Sequence, residues 1–274
     1  MLNRIEVNLV RDELLDEKWD SAAVAETREE LMGYLAKEIV EDKREMRAQV
    51  ADVCSEGMRQ SPINIDGPFE ASSSSLSITD KVELQSAKFI RQYNSGILFL
   101  QATLATAILN DVSYSMKGAF FHHPSEHTFD QNHLNADLEV QFMFSNADGQ
   151  VLMVSVLFSE GHSENGFIQN MGLKELIRDQ SKKEIEVDPS SLKITDLLNG
   201  KSLSDVLKES SYVQYEGSLT YAPCTEEGVT WIVILHQINS LSSLQIGDFE
   251  SLTSKGKDNS RKTQTLNGRK VYIS

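Results

Sequence analysis

Short apolar runs, each too brief for a typical helix, constrain the fold of this chain more than any other feature. They recur from residue 57 onward and are separated by turn-prone pieces such as NSG and SNADGQ. Apolar or alternating runs of about four to eight residues bounded by turn residues are typical of β-strands. The sequence therefore predicts a β-rich body with helices only near residues 170–182 and 242–251. The clearest predicted strands are residues 97–102, 119–123, 138–144, 151–158 and 229–236.

The start of the chain has a different texture. Residues 1–56 hold 15 acidic and 8 basic residues, and apolar residues recur there at helical spacing with no proline. That spacing predicts an amphipathic helix. Its apolar stripe consists of Leu31, Leu35, Ile39, Met46 and Val50. We therefore divide the chain into an acidic helical N-terminal extension, residues 1–53, and a body, residues 54–274. The stripe either packs on the chain's own body or docks on another protein.

Charge and hydropathy exclude several classes of function. The chain has 274 residues and a formal net charge of −15, so it should repel nucleic-acid backbones and anionic lipid surfaces. No run approaches about 18 apolar residues, so we expect no transmembrane helix. Acidic residues interrupt the first apolar stretch, which therefore does not resemble a signal peptide.

Four of the six histidines fall within the segment FFHHPSEHTFDQNH, residues 120–133. Such a cluster is a candidate metal site. Alternate residues of a strand share a face, so His122 should lie beside Phe120 while His123 points the other way. A single histidine on a strand face is also common as a packed core residue, and both interpretations stay open here.

The next predicted strand carries polar residues at alternate positions. Asp137, Glu139 and Gln141 would share one face of a run that is otherwise apolar. Buried polar side chains need partners. A polar face opposite His122 therefore indicates either a metal site or an ion pair.

Four segments resemble α-class carbonic anhydrases: CSEGMRQSPINI (54–65), HHPSEHT (122–128), SLTYAPCTEEGVTWIV (218–233) and QTLNGRKVY (264–272). The resemblance runs from Cys54 to the C-terminus. It implies a mainly β, α+β fold, with a central, mostly antiparallel twisted sheet of about ten strands and small surface helices. It also implies an active-site cone whose base holds a zinc ion.

In that family the zinc ligands are two histidines spaced His-x-His on one strand and a third on the next strand. Alignment on PSEHT places the first ligand position at Phe120 and the second at His122. Counting twelve residues from His127 places the third at Glu139. The resemblance thus implies that two of three zinc histidines are replaced, by a ring without a donor and by a carboxylate.

Other positions of the family's site are partly kept. The threonine that bonds the zinc hydroxide aligns with Thr220, and the glutamate that orients it aligns with Glu126. A buried carboxylate–hydroxyl bond can also serve the fold alone. The proton-shuttle histidine aligns with Ile97, which cannot carry a proton. We therefore expect no intact catalytic or zinc site, no cofactor, and a pair between His122 and Glu139 in place of the metal.

The family resemblance also implies a disulfide between Cys54 and Cys224, the only two cysteines. Disulfides persist in oxidising compartments, which favours an organellar space, intermembrane or lumenal. Two buried free thiols, and with them a cytosolic protein, remain the alternative.

Three classes of function follow from these observations. The leading hypothesis is a carbonic-anhydrase-related protein that acts as a non-catalytic structural or interaction subunit and contacts other protein subunits through the N-terminal extension. The alternative is an active carbonic anhydrase with altered zinc ligands. A third class is a protein that binds a small ligand or anion in the vestigial cone.

Overall fold

Alternating side chains along successive strands produce a twelve-stranded sheet in the computed structural model, which describes residues 53–81, 86–92, 96–253 and 258–274. Except for Val53, the predicted helical extension, residues 1–53, lies outside the described residues. Glu56–Ser274 forms one unit. The strands are β1 (Asn64–Ile65), β2 (Glu70–Ala71), β3 (Leu76–Asp80), β4 (Ala87–Gln92), β5 (Ile97–Gln101), β6 (Ala105–Leu109), β7 (Val112–His122), β8 (Thr128–Phe129), β9 (Leu134–Asn135), β10 (Leu138–Ser145), β11 (Val151–Glu160), β12 (Glu184–Val187), β13 (Tyr212–Glu216), β14 (Val229–Leu241) and β15 (Tyr272–Ile273).

The strand order of the main sheet is β12-β4-β5-β7-β10-β11-β14-β13-β15-β2, with β6 also on β7 and β3 on β6. Its strands pair antiparallel except at β11–β14 and β15–β2, which are parallel. The predicted central, mostly antiparallel sheet is confirmed, with twelve strands where about ten were expected. A small separate sheet joins β1, β8 and β9.

Helices are short and few among the described residues. They are α1 (Gly166–Asn170), α2 (Leu173–Arg178), α3 (Ile194–Leu197), α4 (Leu203–Glu209) and α5 (Ser243–Leu252), with one 3₁₀ turn at Pro189–Ser191. The single helix predicted near residues 170–182 is two short helices, because Gly172 between them adopts a left-handed φ of 76°. The helix predicted near residues 242–251 is α5, which begins with a capping box formed by Ser242 and Gln245.

The pleat of the sheet separates the core into two parts. Phe121, Phe142 and Ile232 pack with the helices on one face, in the larger apolar cluster. Their chain neighbours point the other way, so that Phe120 and Trp231 belong to a second cluster on the opposite face. That second face therefore also receives the polar side chains of β7 and β10, and it carries the candidate site.

Both cysteines are disulfide-bonded, which confirms the expected bond between Cys54 and Cys224. The bond is consistent with an oxidising compartment. In the part of the chain that the structure describes, no helix is long and apolar enough to cross a membrane.

Candidate functional site

The strand register brings four predicted site residues together on one face of the sheet. On β7 and β10, Phe120 lies opposite Gln141, and His122 lies opposite Glu139. Directly opposed residues of an antiparallel pair have Cβ atoms about 4.5–5.5 Å apart. The four side chains therefore form a square of one ring, one imidazole, one carboxylate and one amide, which we call the cavity floor.

Glu139 is the most heavily hydrogen-bonded group of the cavity floor. Its Oε2 accepts the backbone N–H groups of Glu126 at 2.8 Å and His127 at 2.9 Å. Its Oε1 accepts from His127 Nδ1 at 2.7 Å, Ser155 Oγ at 2.7 Å and Gln141 Nε2 at 3.0 Å. Five donors thus saturate a carboxylate that has no exposed surface.

The charge of this carboxylate is matched inside the protein. Burial alone would raise the pKa of Glu139, but the adjacent His127 charge and the hydrogen bonds outweigh burial and lower that pKa to about 2. The other ring nitrogen of His127 lies 2.7 Å from the hydroxyl of Tyr215, which donates to Ser61 Oγ at 3.1 Å. Each ring nitrogen of His127 therefore has a hydrogen-bonding partner, Glu139 on one side and Tyr215 on the other.

The expected pair between His122 and Glu139 is wrong. His122 Nδ1 lies 3.2 Å from the carbonyl oxygen of Asn259 and 3.3 Å from Glu126 Oε1. Both of these atoms are acceptors, so Nδ1 carries the proton. Nε2 of this buried ring has no hydrogen-bond partner. The strand register places His122 opposite Glu139, but the two side chains do not bond. Both oxygens of Glu139 accept from other donors instead.

Glu126 links the cavity floor to the segment that follows α5. Its Oε1 accepts the backbone N–H of Arg261 at 2.9 Å, and its Oε2 accepts Gln141 Nε2 at 2.8 Å. Glu126 Oε1 also lies 3.3 Å from His122 Nδ1, and the orientation of Thr220 by Glu126 stays a prediction. Thr220 and Glu126 line the same cavity.

Aromatic rings fill the other half of the cavity floor. The ring centroid of Phe120 lies 4.6 Å from that of Phe99 and 4.9 Å from that of Tyr221. Gly118 makes room for this cluster, because a Cβ there would lie 2.3 Å from Cζ of Phe99. The bulky ring of Tyr221 also lines the cavity.

A cavity of about 540 Å³ lies beside the cavity floor, and His122 is the one of the four floor residues that lines it. His122, Glu126 and Thr220 line it together with Ile97 and Tyr221. Arg261 also lines it. Most of the residues that line the cavity are polar or charged, and Ile97, Tyr221 and Ala222 supply its apolar part.

The clustered histidines do not converge on a metal position. His123 Nδ1 bonds the carbonyl of Asp137, and His133 Nδ1 lies 3.4 Å from Thr128 Oγ1. His127 is bound to Glu139 and Tyr215. Over residues 53–274, excluding the three undescribed gaps, no three His, Cys, Asp or Glu side chains are grouped to hold a metal ion.

Sequence reasoning missed the contributions of Gln141 and Asn259. Gln141 was expected only as one of three polar residues on a strand face. Its place beside Glu139 on one strand face was the available signal, because two adjacent polar groups on a buried face must satisfy each other. Asn259 donates to the carbonyls of Gly96 and Phe121, and no motif indicated that role. Asp137, expected on the polar face opposite His122, instead accepts the N–H of Glu160.

A family model and a curated relative both place the chain among carbonic anhydrases. The model of the eukaryotic-type carbonic anhydrase family matches residues 43–274. A carbonic anhydrase from Klebsiella pneumoniae is 31% identical over 218 residues, which cover 80% of this chain and 81% of that protein.

Solved structures agree with the observed fold. Dioscorin complexed with ascorbate is similar with a TM-score of 0.63 and 27% identity, covering 81% of this chain and 88% of that chain. Carbonic anhydrase Cah3 from Chlamydomonas reinhardtii, in complex with acetazolamide, has a TM-score of 0.66 and 24% identity. That alignment covers 81% of this chain and 92% of that chain, and it supports the fold alone.

The buried carboxylate makes a testable prediction about acid stability. Glu139→Gln removes a buried carboxylate that accepts from five donors and leaves several of them without an acceptor, so we expect a loss of about 3–5 kcal/mol in the free energy of unfolding at pH 7. Because the folded-state pKa is lowered, the carboxylate stabilises the fold above its ordinary pKa of 4.5, and this is lost as pH falls toward about 2. Denaturant unfolding across this pH range should show the difference between parent and variant shrinking.

Glu175→Gln is the matched control, since Glu175 is half-exposed and pairs with Lys182 at the surface. It should change the free energy of unfolding by less than about 1 kcal/mol. Equal losses for Glu139→Gln and Glu175→Gln would contradict the prediction.

Proposed function

The chain belongs to the eukaryotic-type carbonic anhydrase family, and we propose that it is a non-catalytic member that acts as a structural or interaction subunit. The observation that carries this proposal is the donor set of the cavity floor. Zinc in proteins takes nitrogen, sulfur or oxygen ligands in tetrahedral array, and a catalytic site keeps one position open for water. Phe120 supplies no donor, and the Phe99 and Tyr221 rings pack against it.

The remaining groups do not fit zinc either. Both oxygens of Glu139 are committed to five donors, so they have no lone pair directed at a metal. Among the four cavity-floor side chains, His122 alone offers an imidazole nitrogen, Nε2, that is buried and has no hydrogen-bond partner. One imidazole does not form the three-ligand site that family resemblance would require. We therefore derive no catalytic step through a metal.

The chain also lacks the proton-carrying side chain that an active member of the family has at the position of Ile97. Fast hydration requires a group that carries protons out of the cavity, and such groups titrate near the working pH. Ile97, which lines the cavity at the aligned position, has no such group. These observations together support a protein that keeps the fold of the family without its chemistry.

Metal analysis combined with a hydration assay tests this proposal. We expect the purified full chain to carry no stoichiometric zinc and to hydrate carbon dioxide no faster than buffer, because the donor set is incomplete. Zinc at one atom per chain, with hydration activity abolished by His122→Ala, would contradict the proposal. That result would establish the alternative, an active carbonic anhydrase with altered ligands.

We assign the interaction role to residues 1–53 on the strength of their sequence. Their acidic composition and apolar stripe are those of an amphipathic segment that packs against another surface. A chain that keeps a family fold without its zinc chemistry is suited to serve as a subunit of a larger protein assembly.

Deletion of residues 1–50 tests the interaction role. Proteins that copurify with the full chain should be lost from the truncated chain, while the thermal midpoint of the body should change little. Replacing Leu31, Leu35 and Ile39 by serine is the matched variant at unchanged length, and it should act like the deletion. Unchanged copurification with both variants would contradict this assignment.

A second candidate function is binding of a small organic molecule in the cavity. Its specific support is the buried, unpartnered Nε2 of His122, which needs a donor, beside a cavity of about 540 Å³. Dioscorin, a relative of similar fold, has been crystallised with ascorbate. The hydroxyl groups of such a ligand would donate to Nε2.

Calorimetric titration with ascorbate tests the second candidate. His122→Leu should weaken binding by roughly fivefold, the effect of one lost hydrogen bond. His162→Leu, which changes an exposed histidine, should leave binding unchanged. Absence of binding to the parent, or equal affinities in all three proteins, would contradict it.

A further inference from the structure

We propose that Gln141, rather than Glu139, occupies the floor position from which the third zinc ligand has been lost, and that its amide stabilises the metal-free cavity floor. This inference rests on the proposed function, because it assumes that the chain does not hold zinc. It replaces the assignment obtained by counting twelve residues from His127, which pointed to Glu139.

Glu139 points away from the position that a metal would need. The donors to its carboxylate come from the backbone at Glu126 and His127, from the His127 ring and from Ser155. Apart from Gln141, these groups belong to the loop after β7 and to β11, which lies on the side of β10 away from β7. The carboxylate thus serves as an anchor for that loop.

Gln141 points toward the same group as His122. Its Nε2 donates to Glu126 Oε2 at 2.8 Å, and His122 Nδ1 lies 3.3 Å from the other oxygen of Glu126. It is also directly opposite Phe120 in the strand register. His122 and Gln141 therefore both contact Glu126, and Phe120 neighbours each of them, across the strands from Gln141 and beside the His122 ring.

Unpartnered atoms mark the same place. Within the described residues, Gln141 Oε1 and His122 Nε2 are both buried and have no hydrogen-bond partner. Both side chains also contact the carboxylate of Glu126. Two unpartnered acceptors so placed are expected if a metal ion once joined these side chains and has been lost. Such orphan atoms are rare enough in folded proteins to require an explanation.

The amide of Gln141 performs a task that a cation would otherwise perform. Glu126 and Glu139 are both buried carboxylates, and like charges at short range repel in a low-dielectric interior. A side-chain amide carries two N–H donors. Gln141 Nε2 gives one to each carboxylate, at 2.8 and 3.0 Å, and so bridges them.

A pair of double variants distinguishes the two assignments. A histidine at position 141 can donate one ring N–H to Glu139 while its other nitrogen faces His122, the arrangement that metal-bound histidines commonly have with a carboxylate. We therefore expect Phe120→His/Gln141→His to retain one zinc per chain after dialysis, measured by elemental analysis and by calorimetric titration with zinc chloride. Phe120→His/Glu139→His should bind zinc no more tightly than Phe120→His alone.

The outcomes are separable from those of the proposed function. Zinc in the parent protein would overturn the proposed function, whatever the double variants do. A metal-free parent with tighter zinc binding by Phe120→His/Glu139→His than by Phe120→His/Gln141→His would overturn this inference alone. If Phe120→His/Glu139→His does not fold, the inference is judged on Phe120→His/Gln141→His against Phe120→His, and equal zinc binding by these two overturns it.

The bridging role has its own readout in the metal-free protein. Gln141→Met keeps the side-chain length but removes both N–H donors. Because Glu126 and Glu139 would then repel each other without a bridge, the thermal midpoint of unfolding should fall by several degrees. Gln214→Met is the matched control, since Gln214 also lies on a strand with an unpartnered Oε1 but bonds neither carboxylate. Equal shifts in the two variants would overturn the bridging role.

Discussion

A fully buried carboxylate, that of Glu139, is the constraint on which the rest of the site depends. An ionised group without exposed surface is tolerated only when charge and hydrogen bonds compensate its lost hydration. Here the compensation comes from the ring of His127, from Ser155 on β11 and from two backbone N–H groups of the loop after β7. The same bonds that satisfy the charge therefore fix this loop against the sheet.

Once Glu139 is committed in this way, the character of the cavity floor follows from a single cross-strand row. Phe99, Phe120, Gln141 and Ser155 lie side by side on β5, β7, β10 and β11. The row changes from aromatic to polar between Phe120 and Gln141. Rings fill one half of the floor and hydrogen bonds hold the other half, so the site is closed by packing and amide bonding where its relatives are expected to use a metal.

The fold was largely accessible from the sequence, because the runs at residues 138–144 and 151–158 alternate or persist as buried strands do. The split of the helix near residues 170–182 was missed, since only the backbone conformation shows that Gly172 breaks it. The cysteine pair followed from resemblance alone. The partner of Glu139 was predicted wrongly for a physical reason. Glu139 and Gln141 share one strand face, and counting along the chain does not show which of the two accepts hydrogen bonds from the loop after β7 and from β11.

The central claim is that a hydrogen-bonded amide, and no metal, holds the cavity floor together. Diffraction from crystals of the purified protein, collected just above and just below the zinc absorption edge, measures this directly. The account predicts no anomalous peak near His122 Nε2 and a Gln141 amide nitrogen within hydrogen-bond distance of both Glu126 and Glu139. An anomalous peak about 2.0–2.1 Å from His122 Nε2, the length of a zinc–imidazole bond, would contradict it.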